Sequence, residues 1–192
     1  MRGLCCTVGR STRNPRNVLN ITQKTVKYGV MTAAGTDAPR LPPVESWNPA
    51  FCGDSGMRIA RDGAWFHDGA PITRPELVRL FAGLLRLDAE GYMLVTPVEK
   101  CAIAVEDVPF LAVAVEARDD ALVFTTNVGD VVRLDAEHAL RMKDGVPYLH
   151  VRRGLEARLS RPVYYQLAEM AVAGDSAMGV WSGGTFFALG DA

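Results

Sequence analysis

The sequence predicts an α+β protein of two small domains related by duplication, each built from antiparallel strands and one helix. Three observations lead there. Short β-rich runs bounded by turn residues recur from residue 57 onward, a spacing that favours antiparallel pairing over long crossovers. Two segments have helical periodicity, and each opens on a hydroxyl-Arg-Pro triplet, Thr73-Arg74-Pro75 and Ser160-Arg161-Pro162. The flanks of these triplets also match in order: Asp62-Gly63, Trp65-Phe66-His67 and Gly69 in the first, Asp144-Gly145, Tyr148-Leu149-His150 and Gly154 in the second.

The first unit begins with strands over 57–61 and 64–67, joined at Asp62-Gly63, a pair that supplies the positive φ angles of a tight hairpin. Gly69-Ala70-Pro71 breaks the chain. Thr73 is then expected to cap a helix, with Glu76 reaching back to it and Pro75 in the first turn. Leu77, Leu80, Phe81, Leu84 and Leu85 form one apolar stripe, so the helix should run to about Asp88–Gly91. Strands follow over 92–96, 101–105, 110–117, 121–126 and 131–134. In the second unit, 148–152 and 155–159 read as strands and Val163, Tyr164, Leu167, Met170 and Ala171 as one helix face. A hairpin over 178–181 and 185–189 closes the chain. The expected boundaries are 41–106 for the N-terminal domain and 107–192 for the C-terminal domain.

Charge sets residues 1–40 apart. The chain has 21 basic and 22 acidic residues, and seven of the basic but only one of the acidic fall in these 40. The leader lacks a sustained apolar period, so it is expected to be non-structural, with Met31 as the true start. The remainder is acidic, which argues against nucleic-acid binding. No run approaches the roughly 18 apolar residues of a membrane span. Cys5, Cys6, Cys52 and Cys101 make no C-x-x-C pair and no Cys/His cluster at zinc spacing. That pattern argues against a disulfide framework and points to a cytoplasmic protein without a metal or other cofactor.

No established catalytic motif occurs: no G-x-G-x-x-G, Walker loop, G-x-S-x-G or H-E-x-x-H. An enzyme is therefore disfavoured, although Glu99, Glu106 and Asp107 could act as acid–base carboxylates if they converged. His67 and His150 occupy matching places in the two units, which suggests a shared structural role. The arginines are more informative. Arg74 and Arg161 sit at helix starts, where free N–H groups favour anions, and Arg152, Arg153 and Arg158 lie just before the second. If the two units face each other, Arg74, Arg158 and Arg161 would bind an anionic group, and Glu99, Lys100 and Glu106 would shape the cleft. Tyr164 and Trp181 would stack a ring.

The succession Trp47-Asn48-Pro49, Cys52-Gly53, Arg61-Asp62-Gly63-Ala64-Trp65, Pro71-Ile72-Thr73-Arg74, Leu94-Val95-Thr96-Pro97-Val98-Glu99-Lys100, Val105-Glu106-Asp107-Val108-Pro109-Phe110 and Gly154-Leu155-Glu156-Ala157-Arg158 resembles the bacterial DUF1285 family over about residues 42–190. The resemblance implies duplicated α+β domains, the second similar to pleckstrin-homology-like folds. It also implies an interdomain cleft for a nucleotide-like ligand and a role in signal transduction, with no established activity. The expected function is thus a ligand-binding or sensory protein holding a small anionic, nucleotide-like molecule between its domains. The alternative is a protein–protein interaction module without a small ligand. Oligomeric state is not legible.

Overall fold

The computed structural model describes residues 41–174 and 177–191. The leader over 1–40, with Cys5, Cys6 and Met31, lies outside the described residues. The body opens with a 3-10 turn, Val44–Ser46, and the first sheet follows. Its strands are β1 (Phe51–Ile59), β2 (Trp65–His67), β3 (Ala70–Pro71), β4 (Leu85–Asp88), β5 (Gly91–Val95) and β6 (Lys100–Val105), ordered β3-β2-β1-β6-β5-β4. Helix α1 (Pro75–Gly83) connects β3 to β4.

The second sheet contains β7 (Phe110–Arg118), β8 (Ala121–Thr126), β9 (Val131–Arg133), β10 (Leu140–Lys143), β11 (Val146–Arg152) and β12 (Leu155–Leu159), ordered β10-β11-β12-β7-β8-β9. Helix α2 (Arg161–Glu169) leads to a three-stranded sheet of β13 (Val172–Ala173), β14 (Ala177–Ser182) and β15 (Thr185–Asp191). The result is two α+β domains with a duplicated plan. In each, a hairpin precedes a nine-residue helix that starts at Arg-Pro, and another hairpin follows. Pairing is antiparallel except at one junction per six-stranded sheet, where β1 runs parallel to β6 and β12 parallel to β7.

Several elements differ from the sequence reading. Thr73 does not cap α1. Pro75 is its first residue and holds the preceding Arg74 in extended backbone, so Arg74 takes the cap position without a side-chain cap. The helix also ends sooner than the leucine stripe implies. Leu84 closes it, and Leu85 already pairs with Leu94 across the β4–β5 hairpin. A short apolar run fits a buried strand as well as a helix, and tertiary pairing decides between them. Strand β1 starts at Phe51, well before 57, with bulges accommodated at Gly53 and Gly56, whose φ angles are +96° and +69°. Strands β3, β10 and β13 add to those the alternation predicts; Ala70-Pro71 pairs as a strand instead of breaking the chain, and each of the three is only two to four residues long.

One apolar core runs through both domains. Ile59, Trp65, Leu85 and Val95 meet Phe110, Phe124, Leu149, Leu155 and Leu167 in a single cluster. Burying each of the larger of these side chains contributes about 1.5–3 kcal/mol. Polar bridges tie the same interface together. Asn127 Nδ2 donates to the Gly63 carbonyl (3.3 Å), Arg152 to Ala82 (3.3 Å) and Arg153 to Pro42 (3.1 Å).

Candidate functional site

The residues nominated from sequence do not assemble into one cleft. Glu99 and Lys100 lie at one end of β6 and Glu106 just past the other, a separation of roughly 20 Å at about 3.3 Å per residue. Glu99 is exposed in a turn, where its backbone N–H donates to Thr96 Oγ1 at 3.0 Å. Lys100 pairs with Asp88 at 3.2 Å. Glu106 pairs with Arg58, whose guanidinium lies over the Phe66 ring, and accepts the Arg61 N–H. Arg74 and Arg161 are exposed at their helix starts and make no ion pair among the described residues. Tyr164 packs on Tyr165, and Trp181 lines a groove beside α2. Among them, Arg158 and Asp107 take part in a cluster that both domains supply.

That cluster follows from strand register. Arg141 on β10 lies opposite Tyr148 on β11, and Tyr148 lies opposite Arg158 on β12, so the three form one row across the sheet. Glu156 is two residues from Arg158, hence on the same face. The opposite face carries the buried Leu149, Ala157 and Leu159. Asp107 reaches the row from the segment joining the two sheets, and Tyr92 on β5 of the N-terminal domain lies within the field of its charges.

Glu156 holds Arg141 through two bonds of 2.5 Å, a bidentate arrangement. The Arg141 guanidinium also lies 4.6 Å from the Tyr148 ring centre. The hydrogen bonds that Glu156 accepts push the Arg141 pKa up, against burial. The Tyr148 hydroxyl donates to Asp107, 3.1 Å from Oδ1 and 3.2 Å from Oδ2. Burial, reinforced by the Asp107 charge, raises the Tyr148 pKa and keeps the phenol a donor. Burial likewise raises that of Tyr92, aided by the charges of Glu156 and Asp107.

Arg158 is the least satisfied member. Its Nε is buried and has no hydrogen-bond partner, and the nearest carboxylate oxygen, Asp107 Oδ2, is 3.9 Å away. A guanidinium N–H without an acceptor is costly, because it has lost water and gained nothing equivalent. The side chain keeps 27% of its exposure, at atoms other than the buried Nε.

Sequence reasoning missed Arg141, Tyr148, Glu156 and Tyr92. The alternation Leu155-Glu156-Ala157-Arg158-Leu159 does place Glu156 beside Arg158. The rest depends on cross-strand register and on the packing of two domains, which local pattern does not carry.

Residues 42–108 match the domain of unknown function DUF1285, N-terminal domain, and residues 109–189 match the C-terminal domain of the same family. The chain belongs to the DUF1285 family. A crystal structure of a DUF1285 family protein from Silicibacter pomeroyi DSS-3 is similar at 42% identity and a TM-score of 0.74, covering 81% of this chain and 90% of that one. A second, from Shewanella baltica OS155, has 31% identity and a TM-score of 0.54, covering 60% of this chain and 91% of that one. No curated relative matches. In this DUF1285 chain the change from one family domain to the next falls between β6 and β7, beside Asp107. Among the described residues no helix is long and apolar enough to cross a membrane, and no group of three or more His, Cys, Asp or Glu is placed to hold a metal.

Proposed function

We propose that this DUF1285 protein is a cytoplasmic ligand-binding or sensory protein that holds a small anionic, nucleotide-like molecule between its domains, at Arg158. The observation that supports it is the buried Arg158 Nε, which lacks an acceptor although Asp107 lies nearby. An anionic oxygen bound at the exposed part of the guanidinium would displace the loose Asp107 contact and so open Nε to an acceptor. Tyr148 would then be free to donate to the same ligand. Tyr92, half-buried, would stack a ring. Asp107 lies on the N-terminal side of the cluster and Arg158 on the C-terminal sheet, so occupancy would bias how the domains engage, as a sensor requires. The other arginines of the sequence reading, Arg74 and Arg161, are not part of this proposal.

The test is a thermal-shift screen of the full chain against nucleoside phosphates, cyclic dinucleotides and inorganic phosphate. A ligand at 100 times its Kd adds about 2.7 kcal/mol, or roughly 5–10 °C for a chain of this size. The expected result is a shift that Arg158→Ala abolishes and that Arg74→Ala and Arg161→Ala retain. A shift that survives Arg158→Ala, or no shift across the panel, overturns the reading.

One observation favours a second reading, an interaction module of the kind that pleckstrin-like folds provide. Trp181 is 59% exposed beside Met170 and Val172, also exposed, at the edge of an apolar groove.

A further inference from the structure

The groove beside α2 has features that select a partner. Its floor includes the buried Leu122 and Val180, from β8 and β14, and its walls are Met170, Val172 and Trp181. Its volume is about 380 Å³, toward the lower end of the roughly 300–1,000 Å³ of ligand pockets. A tryptophan this exposed is unusual, and tryptophan is the residue type most enriched among interface hot spots. Phe186 props the indole edge-on, with ring centres 5.4 Å apart, so its position is set before any partner arrives.

The rim is acidic. Asp120 lines the groove, Asp119 precedes it in the β7–β8 turn, and Glu169 precedes Met170 at the end of α2. All three are exposed, and none forms an ion pair among the described residues. The Asp119–Asp120 turn is fixed in place, because Gly183 N–H in the β14–β15 turn donates to the Asp120 carbonyl at 2.9 Å. An apolar trough lined by Asp120, with the exposed Asp119 and Glu169 next in sequence to lining residues, complements a segment that is apolar on one side and basic on its flanks.

We infer that this groove docks an amphipathic, Lys/Arg-flanked segment of a partner protein, with Trp181 as the central anchor. The inference rests on the interaction-module reading and adds the class of partner. Its apolar side chains would cover Leu122 and Val180, and its basic flanks would lie against Asp119, Asp120 and Glu169.

The experiment uses the full chain and a labelled 18-residue peptide with leucine and phenylalanine on one helical face and lysine on the other. A second peptide replaces each lysine with glutamate. Fluorescence anisotropy should show saturable binding of the lysine peptide and little of the glutamate peptide. Trp181→Ser and Met170→Ser should each weaken binding at least tenfold while circular dichroism stays native. Asp119→Asn with Asp120→Asn, or 0.5 M salt, should weaken it several-fold. Equal binding of both peptides, undiminished binding by Trp181→Ser, or no saturable binding overturns the inference. Sedimentation separates the two readings. A concentration-dependent dimer lost in Trp181→Ser makes a second copy the occupant, which overturns the partner class and leaves the module reading standing. Absence of both peptide binding and self-association overturns both.

Discussion

Arg152 of β11 donates to the carbonyl of Ala82 in the last turn of α1, at 3.3 Å, and so joins the C-terminal sheet to the N-terminal helix. The same guanidinium lies 4.7 Å from the Phe110 ring centre and 3.3 Å from Asp130 Oδ2. It is one side chain serving a helix C-terminus, an aromatic face and a carboxylate, largely out of water.

Breaking that pair should be expensive. Asp130→Ala leaves the Arg152 charge buried without its partner, which typically costs about 3–5 kcal/mol. Adding Arg152→Met should recover part of the loss, since no buried charge then remains. Urea denaturation of the single and double variants measures this, and a double variant less stable than Asp130→Ala would contradict it.

Two aspartates should titrate with opposite signs. Burial raises the Asp130 pKa, with Arg152 opposing it. Its contribution is therefore fully present below the ordinary carboxylate value, about 4, and is lost as pH rises through the raised folded value. Asp88 is the reverse case. The hydrogen bonds from Arg86, at 2.6 and 2.9 Å, lower its pKa against burial, with help from Lys100. Its contribution is present above about 4 and lost as pH falls through the depressed folded value. Stability measured from pH 3 to 7 should show wild type gaining on Asp88→Asn, and losing ground to Asp130→Asn, as pH rises. A parallel pair of profiles would refute the assignment.

The two Asp-Gly turns should respond unequally to the same substitution. Gly63 and Gly145 have φ of +83° and +72°, so alanine at either costs about 1–2 kcal/mol in backbone strain. At Gly145 an added Cβ meets nothing within 4 Å, whereas at Gly63 it would come within 2.6 Å of Asn127 Nδ2. Asn127 bridges the domains, with its Oδ1 accepting the Leu111 N–H at 3.0 Å. Gly63→Ala should therefore be the more damaging variant by thermal melting, and equal losses would count against the bridge.

His150 should hold a single tautomer. Its Nδ1 lies 2.7 Å from the Glu137 carbonyl and must donate, while Nε2 accepts the Gly154 N–H at 3.1 Å. Nitrogen-15 NMR at pH 8 should show the proton on Nδ1. A proton on Nε2 would sink the idea, since Gly154 would lose its acceptor. This is a structural role, of the kind suggested by the matching positions of His67 and His150.

The sequence by itself determined the duplicated α+β plan, most of the strands and the family, because alternation, turn residues and Arg-Pro helix starts are local signals. Arg158 was also legible, as an alternating charge beside a helix start. Only the tertiary structure decided what surrounds it. Arg141, Tyr148 and Arg158 share a row because β10, β11 and β12 pair in one register, and Asp107 and Tyr92 join them because the domains pack on a common core. Leu84 and Leu85 carry the same lesson: their spacing suits a helix stripe, yet Leu85 gains more as a fully buried strand residue opposite Leu94. Register and interdomain packing are set by long-range burial, which no short window of sequence contains.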